Sequence, residues 1–489
     1  MSLKLKWVNT QKILQDDRPV ARSFFTPLKE MFFSGKSVLP LVEGGKGISI
    51  SNGLSAGAWA RAGGVGTFSA VNADHYDEKG QVIPQVYQGR TRRERHRELV
   101  AQAIEGGIAQ ARIAHEVSGG QGRLHMNVLW EMAAAEEILV GVLEKVQGLV
   151  HGVTCGAGMP YKIAEIAARF KAYYYPIVSS SRAFRILWKR SYHRLSEWLG
   201  GVVYEDPWLA GGHNGLSNNE NPKAPESPMG RVVALRDFMK SIGLDHVPII
   251  MAGGVWWLSE WQDWFDNPAI GPVAFQFGTR PLLTQESPIS DAWKKRLLTL
   301  KKGDVFLNRF SPTGFYSSAV KNTFLAELEE RSHRQIAYTQ TAVGDHDTPF
   351  PVGPRRRIVY VTHHDKKAAL KWAEKGFTEI LRTPDNTLIF VTPEKAAAIH
   401  EDQVGCMGCL SACRFSNWSQ ETSGTTGVKA DPRSYCIQKT LQLISHAGSV
   451  DDNLMFAGHN AYRFAEDPFY DRGFIPTVAE LMDRIQTGF

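Results

Sequence analysis

Cysteine and long apolar segments are both scarce in this sequence. Only five of its 489 residues are cysteine, and no apolar run approaches the roughly 20 residues that a helix needs to cross a bilayer. The first seven residues also lack the apolar core of a signal peptide. These features argue against a membrane protein and against a disulfide-stabilised secreted protein, so we expect a cytoplasmic location and no membrane partner.

Two signals of other functions are also missing. No Gly-x-Gly-x-x-Gly motif follows the first predicted strand with an acidic residue about 20 positions later, which argues against a dinucleotide-binding open sheet. The net charge is +6, but the most basic stretch, residues 89–98, is interrupted by glutamates and leads into a helical pattern. We interpret this stretch as a solvated helix face and expect no nucleic-acid partner.

Strand-like apolar runs alternate with helical stretches, a pattern typical of a parallel sheet covered by helices. Eight runs can be identified, the number that a (β/α)8 barrel needs. The sequence therefore predicts an α/β fold with a TIM barrel over residues 1–340, and a doubly wound open sheet is the alternative. The eight runs lie within residues 38–50, 65–70, 124–129, 149–154, 175–179, 201–204, 250–255 and 274–280.

Three glycine-containing segments lie at predicted strand ends. Residues 250–255 and 274–280 each run from a short apolar strand into residues that leave backbone N–H groups free, and such loops bind phosphate without a cation. Upstream, residues 209–215 place one histidine among glycines that allow a flat ring to approach closely. Because barrel active sites gather at the carboxyl ends of the strands, the three segments predict one binding site.

The order of these motifs resembles the nitronate monooxygenase family, formerly called 2-nitropropane dioxygenases, which also contains the flavin-dependent enoyl-acyl carrier protein reductases. The resemblance covers roughly residues 35–335. It implies a barrel that contains FMN, with a histidine beside the flavin. The motifs are Asn127, residues 156–160 (Gly-Ala-Gly-Met-Pro), 210–213 (Ala-Gly-Gly-His), 252–255 (Ala-Gly-Gly-Val), 276–280 (Gln-Phe-Gly-Thr-Arg) and 284–287 (Thr-Gln-Glu-Ser).

Carried over position by position, the resemblance implies a set of cofactor-binding residues. Asn127 matches an asparagine that ends an early barrel strand and contacts the flavin, while the Thr279 hydroxyl and its neighbouring N–H groups would hold the phosphate. Plain turns at the strand ends are the structural alternative for all of them. The full set is Asn127, Gly211, Gly212, Gly253, Gly254, Gln276, Phe277, Gly278 and Thr279.

His213 is the residue predicted to take part in the reaction. Imidazole titrates near neutrality, so it can remove or return a proton at a carbon next to a nitro or carbonyl group. It could instead only hydrogen-bond the substrate oxygen and stabilise developing negative charge. A core histidine without a role is the remaining alternative, although its glycine neighbours offer little bulk to pack against.

The sequence departs from the family at two places beside the predicted site. Residues 40–47 read Pro-Leu-Val-Glu-Gly-Gly-Lys-Gly, where family members usually have a Gly-Pro-Met-like turn. Residues 204–209 form a longer stretch than usual before the histidine segment, and they carry Glu205, Asp206 and a tryptophan. Substrate preference therefore does not transfer from the family.

A second, smaller α+β domain is expected over residues 341–489. The composition changes near residues 345–349, immediately after the predicted barrel. Beyond that point, a strand over residues 357–362, a helix over residues 366–375 and a strand over residues 387–392 predict a β-α-β unit.

Four of the five cysteines lie in the predicted C-terminal domain: Cys406, Cys409, Cys413 and Cys436. Thiolates at this spacing can converge through a tight turn, with the fourth closing a four-thiolate site. The spacing resembles that of flavin barrel reductases such as 2,4-dienoyl-coenzyme A reductase, which implies a 4Fe-4S cluster. Zinc and unliganded thiols are the alternatives, while Cys155 is predicted to be a packing residue.

Together these features predict an FMN-dependent oxidoreductase that acts on a small molecule. In the first interpretation it is a monooxygenase that oxidises alkyl nitronates or a related carbon acid, with His213 as general base. In the second, NAD(P)H reduces the flavin and an enoyl thioester or another acceptor takes the electrons. The third is a non-catalytic flavoprotein or electron-transfer subunit with a protein partner. We also expect a homo-oligomer. The tryptophan-rich residues 255–264 suit core packing or a subunit interface, with stacking on a cofactor as the alternative.

Overall fold

The structure is a computed structural model that describes residues 28–422, 424–446 and 448–489. The expectation for the first seven residues lies outside these ranges. Within them, no helix is both long enough and apolar enough to span a bilayer.

The secondary structure of the described residues alternates between strands and helices. The strands are β1 (Met31–Phe33), β2 (Lys36–Val38), β3 (Leu41–Glu43), β4 (Val65–Ser69), β5 (Arg123–Leu129), β6 (Gly152–Gly156), β7 (Tyr173–Val178), β8 (Val202–Glu205), β9 (Gly212–His213), β10 (Ile249–Ala252), β11 (Val273–Phe277), β12 (Val305–Asn308), β13 (Ser317–Val320), β14 (Gln335–Ala337), β15 (Thr348–Val352), β16 (Arg357–Val361), β17 (Glu379–Arg382), β18 (Thr387–Val391), β19 (Ala412–Cys413) and β20 (Trp418–Ser419). The helices are α1 (Gly53–Arg61), α2 (Arg92–Ser118), α3 (Ala135–Lys145), α4 (Ile163–Arg169), α5 (Ser181–Arg190), α6 (Pro228–Ser241), α7 (Asp291–Leu297), α8 (Thr323–His333), α9 (His363–Glu374), α10 (Pro393–Val404), α11 (Ile437–Gln442) and α12 (Val478–Gln486).

Eight parallel strands close into a barrel in the order β3, β4, β5, β6, β7, β8, β10 and β11, and β11 pairs back to β3. Each of them overlaps one of the eight predicted runs, so the predicted (β/α)8 barrel is confirmed and the open sheet is excluded. Parallel pairing brings all the carboxyl ends to one rim, where Asn127 lies beside Thr154 and Ala252 lies beside Gln276.

Side chains fill the barrel interior because every second residue of a strand points inward. Val42, Val65, Tyr175, Val203 and Ile250 are buried together in this interior. The helices cover the outer face, so the strands are apolar on both faces, as parallel strands in barrels usually are. The inward-pointing residues nearest the carboxyl ends of the strands form the floor of the cavity at this rim.

The predicted basic helix is α2, and part of its basic face is not solvated. Thr91 and Glu94 form a capping box at its start, which explains why the helix begins there. Arg92 donates to the Gln403 carbonyl, and Arg95 donates to the carbonyls of residues 404 and 406. These arginines therefore hold the C-terminal region against the barrel, which differs from the predicted free surface.

Residues 335–404 form a small α+β unit with its own apolar core. The strands and helix of the predicted β-α-β unit are present, but the two strands belong to different sheets. β16 pairs with β15 in a hairpin, whereas β18 lies between β14 and β17 in an antiparallel sheet. The prediction of one β-α-β unit was wrong because β16 and β18 do not pair with each other. Instead, β16 pairs with β15, and β18 pairs with β14 and β17.

Residues 405–489 return to the barrel. On α12, Leu481, Met482 and Ile485 are fully buried, and they belong to the same apolar core as Trp59 of α1. The predicted domain boundary between residues 340 and 341 stays a prediction. The last 85 residues, however, contribute side chains to the apolar core of the barrel.

A buried ion pair connects this returning segment to the barrel rim. Arg280 and Asp467 are each 1% exposed, with 3.8 Å between the closest guanidinium and carboxylate atoms. Asp467 also accepts hydrogen bonds from the indole N–H groups of Trp256 and Trp257, both at 3.3 Å. Arg280 donates to the Trp256 carbonyl at 2.9 Å. The pair therefore fixes the chain just beyond two of the predicted binding loops.

Asp467→Asn should lower the free energy of unfolding by about 3–5 kcal/mol, because it leaves the Arg280 charge buried without its partner. Denaturant unfolding followed by tryptophan fluorescence measures the change. The control is Glu136→Gln, which breaks the exposed Lys162–Glu136 pair and should cost less than about 1 kcal/mol. Equal effects of the two substitutions would contradict the structural role of the buried pair.

Candidate functional site

A single cavity lies at the carboxyl ends of the barrel strands, and most of the predicted site residues line it. Asn127, Gly211, Gly212, His213, Gly253, Gly254, Gln276, Gly278 and Thr279 all contribute to its wall. Phe277 is the exception, because its side chain points outward and is buried with its ring 6.1 Å from that of Trp59. The three glycine segments therefore border one cavity.

The two predicted phosphate loops are tight glycine turns that border the cavity. Gly253 and Gly254 have φ values of 89° and 78°, a region that side chains rarely adopt. A Cβ on Gly278 would meet no atom within 4 Å, so this loop borders open space in the cavity. The Thr279 hydroxyl accepts a hydrogen bond from the Gly458 N–H at 2.9 Å, which leaves its own hydrogen available for a ligand.

His213 is held at the cavity wall by the short pairing of β9 with β13. Its Nε2 atom lies 2.6 Å from the Ser311 hydroxyl, and its ring packs edge-on against Phe456 at 5.4 Å. Burial lowers the pKa of His213 to about 4, so the ring is neutral at pH 7. A neutral imidazole offers one donor and one acceptor, and Nδ1 has no hydrogen-bond partner among the described residues.

The cavity floor contains polar groups that the protein leaves unpaired. Asn127 is 3% exposed; its amide nitrogen donates to the Thr154 hydroxyl at 3.3 Å, but its amide oxygen has no partner within the described residues. A Cβ on Gly45 would overlap the Asn127 side chain, so the loop after β3 packs directly on it. Unpaired buried acceptors and open backbone loops are what a flavin with its phosphate would satisfy, so the residues present fit FMN.

Sequence reasoning did not identify Lys46 as part of this wall. Its ammonium group donates to the Gly44 carbonyl at 2.7 Å and pairs with a Glu43 carboxylate oxygen at 3.3 Å. Ser55 donates to the same oxygen at 2.8 Å. Burial raises the pKa of Glu43 and lowers that of Lys46, while their attraction opposes both shifts. The signal was the departure from the family turn at residues 40–47.

The returning C-terminal segment supplies another wall that the sequence did not predict. Asn460 donates to the Gly254 carbonyl at 2.6 Å, and the His459 N–H donates to the Leu209 carbonyl at 3.1 Å. Phe456, together with Ile437 and Gln438 from α11, borders the cavity. No sequence signal could place these residues here, because they lie more than 170 positions beyond the second glycine loop, 253–254.

The cysteine segment also reaches the cavity, but it forms no metal site in the described residues. Cys409 lines the wall, and the Cys406 sulfur accepts hydrogen bonds from the Ser416 hydroxyl at 3.0 Å and the Gly408 N–H at 3.4 Å. Burial raises the pKa of Cys413 to about 11 and that of Cys436 to about 12, so these thiols are protonated at neutral pH.

Across the described residues, no group of three or more histidine, cysteine, aspartate or glutamate side chains is arranged to hold a metal ion. The predicted metal centre, whether a 4Fe-4S cluster or zinc, is therefore not supported by this arrangement. Cys155 lies fully buried on β6, in agreement with its predicted packing role.

Three solved structures are similar to this chain. The enoyl reductase domain of MlnA from the macrolactin biosynthesis cluster of Bacillus amyloliquefaciens is 11% identical, with a TM-score of 0.52, and the match covers 92% of this chain and 93% of that chain. Nitroalkane oxidase from Streptomyces ansochromogenes is 16% identical with a TM-score of 0.42, over 59% and 78% of the two chains. FabK from Thermotoga maritima is 18% identical with a TM-score of 0.39, over 60% and 74%. The first of these matches shows the same fold.

Sequence comparison identifies the family. No match to a curated protein was found. The model of the family described as nitronate monooxygenase matches residues 31–380, which is more than two thirds of the chain. The matched range contains the barrel, His213 and both phosphate loops. The chain therefore belongs to the nitronate monooxygenase family, whose members are FMN-dependent oxidoreductases.

Proposed function

We propose that this protein binds FMN in the barrel cavity and oxidises small carbanionic substrates such as alkyl nitronates. The observation that carries the proposal is the neutral His213 ring, which reaches the same cavity as the two phosphate loops. When bound, FMN supplies a centre that accepts and returns two electrons. Its phosphate would be held by backbone N–H groups near Gly253 and Gly278 and by the Thr279 hydroxyl.

The low pKa of His213 changes the role that the sequence suggested for it. A ring with a pKa of about 4 is a weak base at neutral pH, so removing a proton from an unactivated carbon acid is difficult for it. A nitronate is already deprotonated and needs no base. We propose that the neutral ring, oriented by Ser311, hydrogen-bonds the substrate and stabilises the charge that changes during oxidation.

A second candidate is an NAD(P)H-dependent reductase for an enoyl thioester or a related acceptor. It is favoured by the MlnA enoyl reductase domain, whose similarity extends over 92% of this chain, including most of the C-terminal part that completes the cavity. In this reaction the neutral His213 would hydrogen-bond the carbonyl oxygen, where negative charge develops as the alkene is reduced. The cavity offers no feature that favours one reductant over the other.

Anaerobic mixing of the FMN-loaded protein with an alkyl nitronate, NADH or NADPH distinguishes the candidates. Bleaching of the flavin absorbance by the nitronate supports the first, and bleaching by a nicotinamide supports the second. If none of the three reduces the flavin within minutes, both activities are excluded and a non-catalytic flavoprotein becomes the better description.

The purified protein should be yellow and should release FMN rather than FAD. The paired loops fit a terminal phosphate, and the sequence offers no Rossmann-type site for an adenine nucleotide. Heat release followed by chromatography identifies the cofactor. FAD, or the absence of flavin from well-folded protein, would contradict the assignment of the cavity.

His213→Asn should retain FMN and lower turnover by about 10²- to 10³-fold, because it removes the ring that hydrogen-bonds the substrate. The matched control is His193→Asn, a histidine on the surface whose ring bonds only the Trp188 carbonyl, and it should leave turnover unchanged. In the wild type, kcat/KM should show no inflection near pH 6.5, because the His213 pKa lies near 4. A clear inflection at pH 6.5 that is lost in His213→Asn would contradict the neutral-ring role.

We also propose that an iron-sulfur cluster binds to four cysteines, which are not arranged as a metal site in the described residues: Cys406, Cys409, Cys413 and Cys436. It is supported by the burial of three of these residues and by the N–H and O–H donors to the Cys406 sulfur, a feature that tunes such clusters. Because no three-ligand group is formed, binding would require the thiols to reorient.

Anaerobically prepared protein should contain about four irons and four acid-labile sulfides per chain if all four thiolates hold a cubane. Cys409→Ser should abolish this iron, while Cys155→Ser, which changes the one cysteine outside the group, should keep it. Protein that is fully loaded with FMN but lacks acid-labile sulfide, both as wild type and as Cys155→Ser, would rule out the cluster.

A further inference from the structure

Glu205 is an acidic side chain at the floor of the cavity. It is the last residue of β8, two positions after the inward-pointing Val203, so the alternation of the strand directs it into the barrel. In the parallel register it lies beside Ala252, which in turn lies beside Gln276. Glu205 and Gln276 therefore share one layer, separated by the small side chain of alanine.

Asn127, near the carboxyl end of β5, lines the same cavity, so three polar side chains from three strands face it. Unlike its neighbour, the Glu205 carboxyl has no hydrogen-bond partner among the described residues. The Asp206 carboxylate instead accepts hydrogen bonds from the N–H groups of Trp208 and Leu209, so its role is to shape the following turn. A polar group that no protein atom satisfies, on the floor of a cavity, is placed to bind a ligand.

The surroundings favour the neutral form of this carboxyl. Burial, with a smaller contribution from the negative charge of Asp206, raises the pKa of Glu205 to about 8. The other titratable side chains that line the cavity are Lys46, Glu131, His213 and Cys409. Lys46 is paired with Glu43, Glu131 accepts a hydrogen bond from Ser411, and burial lowers the pKa of His213 and raises that of Cys409. At pH 7 Glu205 is therefore mostly a carboxylic acid, which has one O–H group to donate.

We propose that Glu205 is a cofactor-binding residue, a neutral carboxylic acid that donates its hydrogen to an acceptor on the isoalloxazine ring of FMN. The proposal rests on FMN occupying the cavity. The isoalloxazine ring carries carbonyl oxygens and ring nitrogens, so a donor from the floor has acceptors to meet. An ionised carboxylate would only accept, and it would repel the negative charge that the ring gains on reduction.

The test is FMN binding by apoprotein at pH 7 and pH 9, measured by quenching of flavin fluorescence. Wild-type affinity should fall about tenfold at pH 9, because a group with a pKa near 8 is then about nine-tenths ionised. Glu205→Gln keeps an N–H donor without an ionisable group, so it should bind within about threefold of wild type at both values. Glu205→Leu should bind about tenfold more weakly than wild type at pH 7, having lost the hydrogen bond.

Two controls separate this proposal from general effects of pH and folding. Glu286→Gln changes a half-buried carboxyl whose pKa is also raised but which lies outside the cavity wall, and it should retain the wild-type pH dependence. Thermal unfolding of each apoprotein reports whether the variant is folded. Because the folded-state pKa of Glu205 is raised, wild-type apoprotein should lose stability relative to Glu205→Gln as the pH rises from about 5 through 8.

The outcomes divide clearly. Weaker binding at pH 9 that disappears in Glu205→Gln supports the proposal. If Glu205→Gln retains the wild-type pH dependence, or if folded Glu205→Leu binds FMN like wild type at pH 7, Glu205 is not a donor to the ring, although the cavity still binds flavin. If wild-type apoprotein binds no FMN at either pH, the cofactor assignment and this proposal both fail.

Discussion

Closure of eight parallel strands is the constraint on which the rest of the structure depends. Parallel pairing puts every carboxyl end at one rim, and closure sets the register between distant strands. The register aligns Glu205 with Ala252 and Ala252 with Gln276. Side chains more than 70 positions apart in sequence therefore form one polar layer. The glycine loops can approach a ligand closely because this layer already fixes where each of them begins.

Burial controls the chemistry that this layer can perform. It lowers the pKa of His213 and raises that of Glu205, so both groups are mostly neutral at pH 7. Neutral donors in a cavity of low dielectric interact strongly with charge that develops on a bound molecule, and they do not attract a counterion beforehand. At the other end, the loops around Gly253 and Gly278 offer backbone N–H groups to an anion. The proposed site therefore combines backbone N–H groups that can bind an anion with two side chains that are mostly neutral.

The sequence predicted the barrel well because its signals are local. An apolar run followed by glycine marks each strand end, and all eight strands lie where the pattern indicated. Most of the cavity residues lie in the same motifs, but the Phe277 side chain does not border the cavity because alternation turns it outward. The pairing of the β-α-β unit was wrong because β14, β15 and β17, the actual partners of its strands, have weaker strand patterns in the sequence. Asn460 was missed because its role depends on tertiary contacts that no local motif encodes, whereas Lys46 lies in the turn where the sequence departs from the family.

The C-terminal return sets this chain apart from a bare flavin barrel. The family match ends at residue 380, yet Cys409, Phe456 and Asn460 all border the cavity. The Asn460 amide and the Gly458 N–H bond directly to residues of the two phosphate loops. A barrel without this segment would lose a wall and the groups that hold those loops in place. These residues close one side of the cavity, so they set its shape together with residues 40–47 and 204–209, where the sequence departs from the family within the match.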